Sequence, residues 1–381
     1  MKSDKPNLLC IGRSLSGGGA ERVQIDLLAK LKSDFSVNVV YLSNDITLED
    51  VFPADIKKEI LEIGNKYGLV TSFFNVLRVM KLAKRSDILF AMQDTTPIYL
   101  GVIAKIFSRK PLVGWVHNTW SGKKTSLNRI HGFLTKAFYP FCDQIVAVSD
   151  GAANDLVKHI RKLIQKTEVI CNPVDGEKLK IMSESDIEEK YRLIFDRDVI
   201  ISAGRLESVK GYDILINAFA MSKSSKKCNL LIIGEGSQRK ELEELVTHLG
   251  LESSVHMPGF VRNPYALMVK SKLFVLSSYY EGLPTVLIEA QILKCPIIST
   301  DCPSGPNEIL DHGRVGFLTD VGDISKLSTV IDMVIGNYDV AIEKAKSGAQ
   351  LVGRYNPDNV AGHFKRVLNS NLREPGKDCL K

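Results

Sequence analysis

Three stretches of this chain join residue types that handle anions and hydroxyl groups. Tyr279-Tyr280-Glu281-Gly282-Leu283-Pro284-Thr285-Val286-Leu287-Ile288-Glu289-Ala290 sets acids on either side of a Gly-x-Pro turn. Pro near a helix start has the right fixed φ. Thr285 to Ile288 would then offer N–H groups without intrahelical partners to an anion. Glu289 follows Thr285 by one turn on the same helix face. In a run otherwise apolar, its carboxylate is either paired or binding hydroxyls. Glu281, just before the helix, could reach the same ligand. The bland alternative is one buried ion pair and one surface acid.

Ser202-Ala203-Gly204-Arg205-Leu206-Glu207-Ser208-Val209-Lys210-Gly211 flanks a turn with two cations. Arg205 as a fork and Lys210 as a point charge could clamp a diphosphate. Equally, they could be solvated surface bases. Gly17, Gly18 and Gly19 lie in Arg13-Ser14-Leu15-Ser16-Gly17-Gly18-Gly19-Ala20-Glu21-Arg22, which would let a ligand approach the backbone at a helix start. The spacing is not Gly-x-Gly-x-x-Gly, which argues against a dinucleotide fingerprint. His117, in Trp115-Val116-His117-Asn118-Thr119-Trp120, ends a strand pattern and is either a polar contact or a structural ring. His131, His159, His248, His256, His312 and His363 show no metal-ligand spacing. Ser149 reads as a helix N-cap, and Cys302 to Ile309 as a Pro/Gly turn capped by Asn307.

Positioning these residues requires alternating strands and helices. Strand patterns fall at Asn7–Ile11, Val37–Leu42, Asp87–Ala91, Pro111–Val116, Gln144–Val148 and Glu168–Ile170. They resume at Val199–Ala203, Asn229–Ile233, Ser254–His256, Leu273–Leu276, Pro296–Ser299 and Gly316–Leu318. Helical periods lie between them; Ala20, Val23, Leu27, Leu28 and Leu31 share one face. The alternation predicts α/β architecture with parallel sheets covered on both faces. Twelve strands exceed one comfortable open sheet, so two doubly wound Rossmann-like domains facing a cleft are expected. Asn172-Pro173 breaks regular structure at their junction. The expected division is 1–172, then 173–354, then a C-terminal helix in 355–381 that packs back on the first domain.

The 381 residues are 44% hydrophobic and 25% charged, the balance of a soluble globular protein. No apolar run has the length to span a bilayer. Seven cysteines without a Cys-x-x-Cys pair suggest reduced thiols and a cytoplasmic location. The net charge of +6 is uneven: residues 1–175 hold 24 Lys and Arg against 17 Asp and Glu, whereas the rest hold 26 against 27. Residues 101–142 carry seven bases (Lys105, Arg109, Lys110, Lys123, Lys124, Arg129 and Lys136) and no acid. Phe107, Trp115, Trp120, Phe133, Phe138, Tyr139 and Phe141 are interleaved with them, and Tyr67 to Arg85 adds a second apolar and basic stretch. Such a face suits an anionic membrane surface, although core packing would also explain many of the aromatics.

Gly17-Gly18-Gly19-Ala20-Glu21-Arg22, Gly204-Arg205-Leu206 through Lys210-Gly211, Pro258-Gly259-Phe260 and Glu281 to Glu289, in this order and spacing, resemble the retaining glycosyltransferases of family 4. The resemblance covers nearly the whole chain. It implies the GT-B fold of two Rossmann-like domains and transfer of a sugar from a nucleotide diphosphate donor with retention. By position, Arg205, Lys210 and the N–H groups of Thr285, Val286 and Leu287 would hold the diphosphate. Glu289 would bind the ribose and Glu281 the sugar hydroxyls. Phe260 and Val261 would lie against the base, Gly18 and Gly19 would close on the phosphates, and His117 would meet the donor sugar.

The implied donor is a UDP-sugar, with no further cofactor. The motif stretches hold no Asp-x-Asp pair, so no metal is expected. The implied acceptor is a lipid-linked sugar or polysaccharide, reached by an enzyme peripheral on the inner face of the cell membrane; nucleic acid is not an expected partner. Rival readings are a nucleotide-sugar epimerase of the same fold and an adaptor using only the basic face. The adaptor would leave Arg205, Lys210, Glu281 and Glu289 without a task.

Overall fold

The structure, a computed structural model, describes residues 5–16, 19–45, 47–63, 69–120 and 126–372. The chain divides into two units: residues 1–173 together with 357–381, and residues 174–356.

Unit 1 is built on seven strands: β1 (Asn7–Gly12), β2 (Ser36–Tyr41), β3 (Lys57–Ile60), β4 (Ile88–Ala91), β5 (Leu112–Val116), β6 (Gln144–Ala147) and β7 (Thr167–Val169). All pair in parallel, in the order β3-β2-β1-β4-β5-β6-β7. Its helices are α1 (Gly19–Leu31), α2 (Leu69–Lys84), α3 (Thr96–Ser108), α4 (Ser126–Phe138) and α5 (Asp150–His159). Strands covered on both faces read as continuous apolar runs, and Leu8, Leu9, Cys10 and Ile11 of β1 are fully buried. The edge strand β3 is an addition to the twelve expected strands. Its sequence, Lys57-Lys58-Glu59-Ile60, has one apolar residue. Charge on an edge deters pairing with another chain, and here it is matched locally: Lys58 pairs with Glu49 at 2.7 Å and Arg78 with Glu59 at 2.9 Å.

The helix Pro357–Asn371 belongs to unit 1. Its stripe of Val360, Ala361, Phe364, Val367 and Leu368 is buried. Phe364 lies 5.7 Å from Phe90 and 4.7 Å from Trp115, ring centre to ring centre. Burying one such ring contributes about 1.5–3 kcal/mol.

Unit 2 carries β8 (Asp198–Ala203), β9 (Cys228–Ile233), β10 (Val255–Gly259), β11 (Leu273–Leu276), β12 (Ile297–Thr300) and β13 (Phe317–Thr319), all parallel, in the order β10-β9-β8-β11-β12-β13. Its core gathers Ile200, Leu215, Phe219, Leu230, Ile232, Val275 and Ile331 from the sheet and flanking helices. In each sheet the strand order reverses once, between β1 and β4 and between β8 and β11. In open α/β sheets ligands bind outside the carboxyl ends of the strands at such a reversal.

Candidate active site

The loops after β8 and β11 are stitched together. Ser277 Oγ donates to the Lys210 carbonyl at 3.0 Å, and the Tyr279 N–H to the Val209 carbonyl at 2.8 Å. Gly211 makes this approach possible: its φ is 61°, and a Cβ there would sit 2.3 Å from the Ser277 oxygen. The stitching brings together two residues 71 apart in sequence. Lys210 Nζ lies 2.6 Å from Glu281 Oε1, with side chains 19% and 11% exposed. The same carboxylate oxygen accepts from Ser278 Oγ at 2.7 Å. Glu281 is therefore the buried half of an ion pair, and its partner is the cation expected on the diphosphate. Arg205, on the β8 loop, is exposed and enters no ion pair among the described residues.

Pro284 stands at the N-cap of the Thr285–Ile292 helix, with no side-chain cap. The Leu287 N–H, expected on the diphosphate, donates instead to the Pro284 carbonyl at 3.0 Å and closes the first turn. No hydrogen bond is recorded from the N–H groups of Thr285 and Val286. Glu289 is half-buried one turn further in.

The Cys302–Ile309 segment supports this turn. Ser304 Oγ donates to the Gly282 carbonyl at 2.7 Å, and a Cβ on Gly305 would stand 2.5 Å from Pro284 Cδ. The expected cap at Asn307 is corrected: Gly305 is the N-cap of the Pro306–Ile309 helix. Asn307 lies inside that helix and its Nδ2 donates to both Asp301 oxygens at 3.1 Å. Burial, with Glu281 nearby adding repulsion, pushes the Cys302 thiol up to about 12, so it is no nucleophile. Phe260, just after the edge strand β10, is exposed, whereas Val261 is buried. Gly19 starts α1 and is exposed; Gly18 lies outside the described residues.

In unit 1, His117 follows β5 and is buried. Its ring is 4.3 Å from Trp115, and its Nε2 is 3.0 Å from the Met92 carbonyl. A carbonyl only accepts, so Nε2 carries the proton and Nδ1 is left as an acceptor; Nδ1 is buried with no partner. Burial lowers the pKa of His117, against the opposing charge of Asp94. The ring is thus neutral and suited to accepting a hydroxyl proton in a hydrogen bond.

Around it lies polar machinery that sequence reasoning passed over. Gln93 donates to Glu21 Oε1 at 2.9 Å and accepts the Arg13 N–H at 2.6 Å. Asp94 accepts the His117 N–H at 3.2 Å and Asn118 Nδ2 at 2.8 Å. The sole signal was the polar run Gln93-Asp94-Thr95 directly after a strand pattern. The expected Ser149 cap is present, accepting from Ala152 N–H at 3.2 Å.

Two parallel doubly wound sheets, the second with cations and helix amides where its strand order turns, define a nucleotide-sugar enzyme of GT-B architecture. Residues 17–178 match the family model Glycosyltransferase Family 4, and residues 183–351 the model Glycosyl transferases group 1. The chain belongs to this family and is a glycosyltransferase. An N-acetylgalactosamine-N,N'-diacetylbacillosaminyl-diphospho-undecaprenol 4-alpha-N-acetylgalactosaminyltransferase of Campylobacter jejuni is 31% identical over 325 residues, covering 81% of this chain and 84% of that protein. An uncharacterised glycosyltransferase of Methanocaldococcus jannaschii is 36% identical over 217 residues, 56% of this chain and about half (53%) of that protein's length. Anabaena HepE, solved in complex with UDP-glucose, shares the fold with a TM-score of 0.81 at 24% identity, over 96% of this chain and 100% of that one.

Proposed function

We propose that this glycosyltransferase moves a hexose or N-acetylhexosamine from a UDP-sugar to a lipid-linked or polysaccharide acceptor in cell-surface glycan assembly, with retention at the anomeric carbon. The observation that carries the reading is the Lys210–Glu281 pair at the strand reversal of unit 2, beside an unpaired Arg205. The Campylobacter relative's diphospho-undecaprenol acceptor supports the lipid-linked class.

When the bond between the anomeric carbon and the diphosphate oxygen breaks, negative charge develops on the departing oxygen. Arg205, Lys210 and the amides of Thr285 and Val286 stabilise that charge, and fixed dipoles need no reorganisation to do so. No metal is needed in this scheme. Glu281 holds the Lys210 ammonium in place and offers its remaining lone pairs to the sugar hydroxyls. Glu289 takes the ribose, Phe260 stacks on the base, and His117 Nδ1 accepts from a sugar hydroxyl. The acceptor oxygen attacks from the face the diphosphate leaves, and its proton passes to a departing phosphate oxygen.

We also place the enzyme on the cytoplasmic, anionic surface of the membrane. Val70, Phe73, Phe74 and Leu77 recur at helical spacing on α2, and Phe73 and Phe74 are 61% and 63% exposed. Ile103, Ile106 and Phe107 of α3 are exposed too, with Lys84 Nζ 4.4 Å above the Phe107 ring. Neither helix contains an acid, while Lys81, Lys84 and Arg85 supply positive charge, the combination that favours anionic lipid. Trp115 and Tyr139 belong to the core instead. Lys105 is paired with Asp143 at 2.6 Å, and Lys123 and Lys124 lie outside the described residues. No described helix is long and apolar enough to cross a membrane.

Thermal-shift screening against UDP-, GDP- and ADP-sugars tests the donor. A ligand at a hundred times its dissociation constant stabilises by about 2.7 kcal/mol. The expected result is a shift with UDP-sugars that Arg205→Ala removes. No shift with any nucleotide sugar would refute the reading.

A further inference from the structure

The strand reversal of unit 1 carries polar groups that the donor-binding account leaves unused. A cavity of about 50 Å³ lies beyond the carboxyl ends of β4 and β5, with Asp94, Thr95, Asn118, Trp120, Thr135 and Tyr139 among its walls. Asp94 is only 7% exposed. Its carboxylate accepts from the His117 N–H and Asn118 Nδ2 and has no cation within ion-pair distance among the described residues. Burying a carboxylate without a counter-charge is costly. Two donors also leave it with acceptor capacity, since a carboxylate has about four lone-pair sites.

The next residue is held in an unusual conformation. Thr95 has φ 67° and ψ −112°, a region that costs of order 1–3 kcal/mol for a residue with a Cβ and that clusters at ligand sites. It is held there from two sides: its N–H donates to Tyr139 Oη at 3.0 Å, and Arg13 Nη2 donates to its Oγ1 at 2.8 Å. Because Tyr139 Oη accepts from Thr95, its own proton is available to donate. The cavity therefore pairs an acceptor, Asp94, with a donor, Tyr139, and Trp120 stands half-buried in its wall.

This chemistry selects among ligands. A carboxylate repels a diphosphate, so the group bound here is uncharged. An acceptor and a donor beside an indole ring suit a polyol with an apolar C–H face, which is a sugar. The volume holds a few water-sized groups, so it takes a substituent of the ring and leaves the ring outside. We propose that Asp94 and this cavity form the acceptor subsite: Asp94 accepts a hydrogen bond from a hydroxyl of the acceptor sugar, a ring substituent enters the cavity, and the ring lies against Trp120. The proposal rests on the transferase reading above and assigns the second substrate's sugar to unit 1.

Saturation-transfer NMR on the full chain tests it, with the methyl glycosides of N-acetylgalactosamine, N-acetylglucosamine, galactose and glucose as probes and calorimetry with UDP as the donor control. Two variants are compared with wild type. Asp94→Asn keeps the shape and removes the charge. Gly132→Leu fills the cavity from α4, where a Cβ meets only Trp120 Cζ2, at an ordinary 3.5 Å, and replacing a mid-helix glycine favours the helix. At least one glycoside should bind wild type and bind each variant at least about tenfold more weakly, the loss expected for a hydrogen bond to a charged group. The UDP affinity should hold within about twofold. A glycoside that binds both variants as it binds wild type overturns the proposal, as does the absence of any glycoside signal while UDP binds. If Asp94→Asn does not fold, Gly132→Leu decides alone. Failure of UDP to bind wild type would count against the donor reading and not against this subsite.

Discussion

Replacing Lys210 by Met while leaving Glu281 in place measures how tightly the donor site is organised. At an effective dielectric of about 20, unit charges about 3 Å apart attract by roughly 5–6 kcal/mol. Desolvating each ion costs several kcal/mol, so the pair itself adds little net stability. Removing one partner is different, because it strands a buried charge at about 3–5 kcal/mol. Glu281 would keep its hydrogen bond from Ser278 and is 11% exposed, which puts Lys210→Met at the lower end, about 3 kcal/mol. Glu281→Gln strands the more exposed member and should cost about 1.5 kcal/mol. The double variant removes both charges and should cost about 2 kcal/mol, a coupling of about 2.5 kcal/mol. Urea unfolding followed by far-UV circular dichroism gives all four stabilities. Both tryptophans, Trp115 and Trp120, lie in unit 1, so their fluorescence does not observe the site directly. If the double variant loses the sum of the single losses to within about 0.5 kcal/mol, the pair is a solvated contact and the reasoning fails.

Arg205→Ala should leave stability within about 0.5 kcal/mol, because the side chain is exposed. It should weaken UDP binding at least about tenfold by removing a charge-assisted hydrogen bond; unchanged affinity in calorimetry would show that Arg205 does not touch the nucleotide. His117 is held neutral by burial, with its folded pKa below the ordinary value of about 6.5. As pH falls below about 6.5 the unfolded chain takes up the proton first, so stability should be flat above that pH and decline beneath it. In melting profiles over that range His117→Gln should show a shallower decline, the remainder including His256, which burial shifts the same way; superimposable slopes would contradict this. In co-sedimentation, vesicles containing phosphatidylglycerol should retain the protein at low salt and release it at about 0.5 M salt, where charges are screened within a few ångströms. Phe73→Ser with Phe74→Ser should abolish the retention, and salt-insensitive binding would remove the anionic-surface reading.

The strand and helix pattern was legible because parallel strands buried on both faces leave unbroken apolar runs, as in Leu8 to Ile11 and Leu230 to Ile233. Strand β3 was not legible, since an edge strand is kept charged and shows no apolar signature. The donor motifs could be read from local chemistry: glycine where the backbone turns, proline at a helix start, cations after a strand. Asp94 could not. Its surroundings come from Arg13, His117, Asn118 and Tyr139, which no sequence window of useful length contains.

The amino-acid order alone thus determined which segments become strands, where helices start, and that cations and carboxylates stand at strand ends. Tertiary structure alone decided that Lys210 would spend its charge on Glu281, that Leu287 would turn its amide inward, and that Asp94 would be buried without a cation. Local preference acts over a few residues along the chain. Pairing and burial depend on which strands become neighbours, and the reversals between β1 and β4 and between β8 and β11 are settled only when whole sheets assemble.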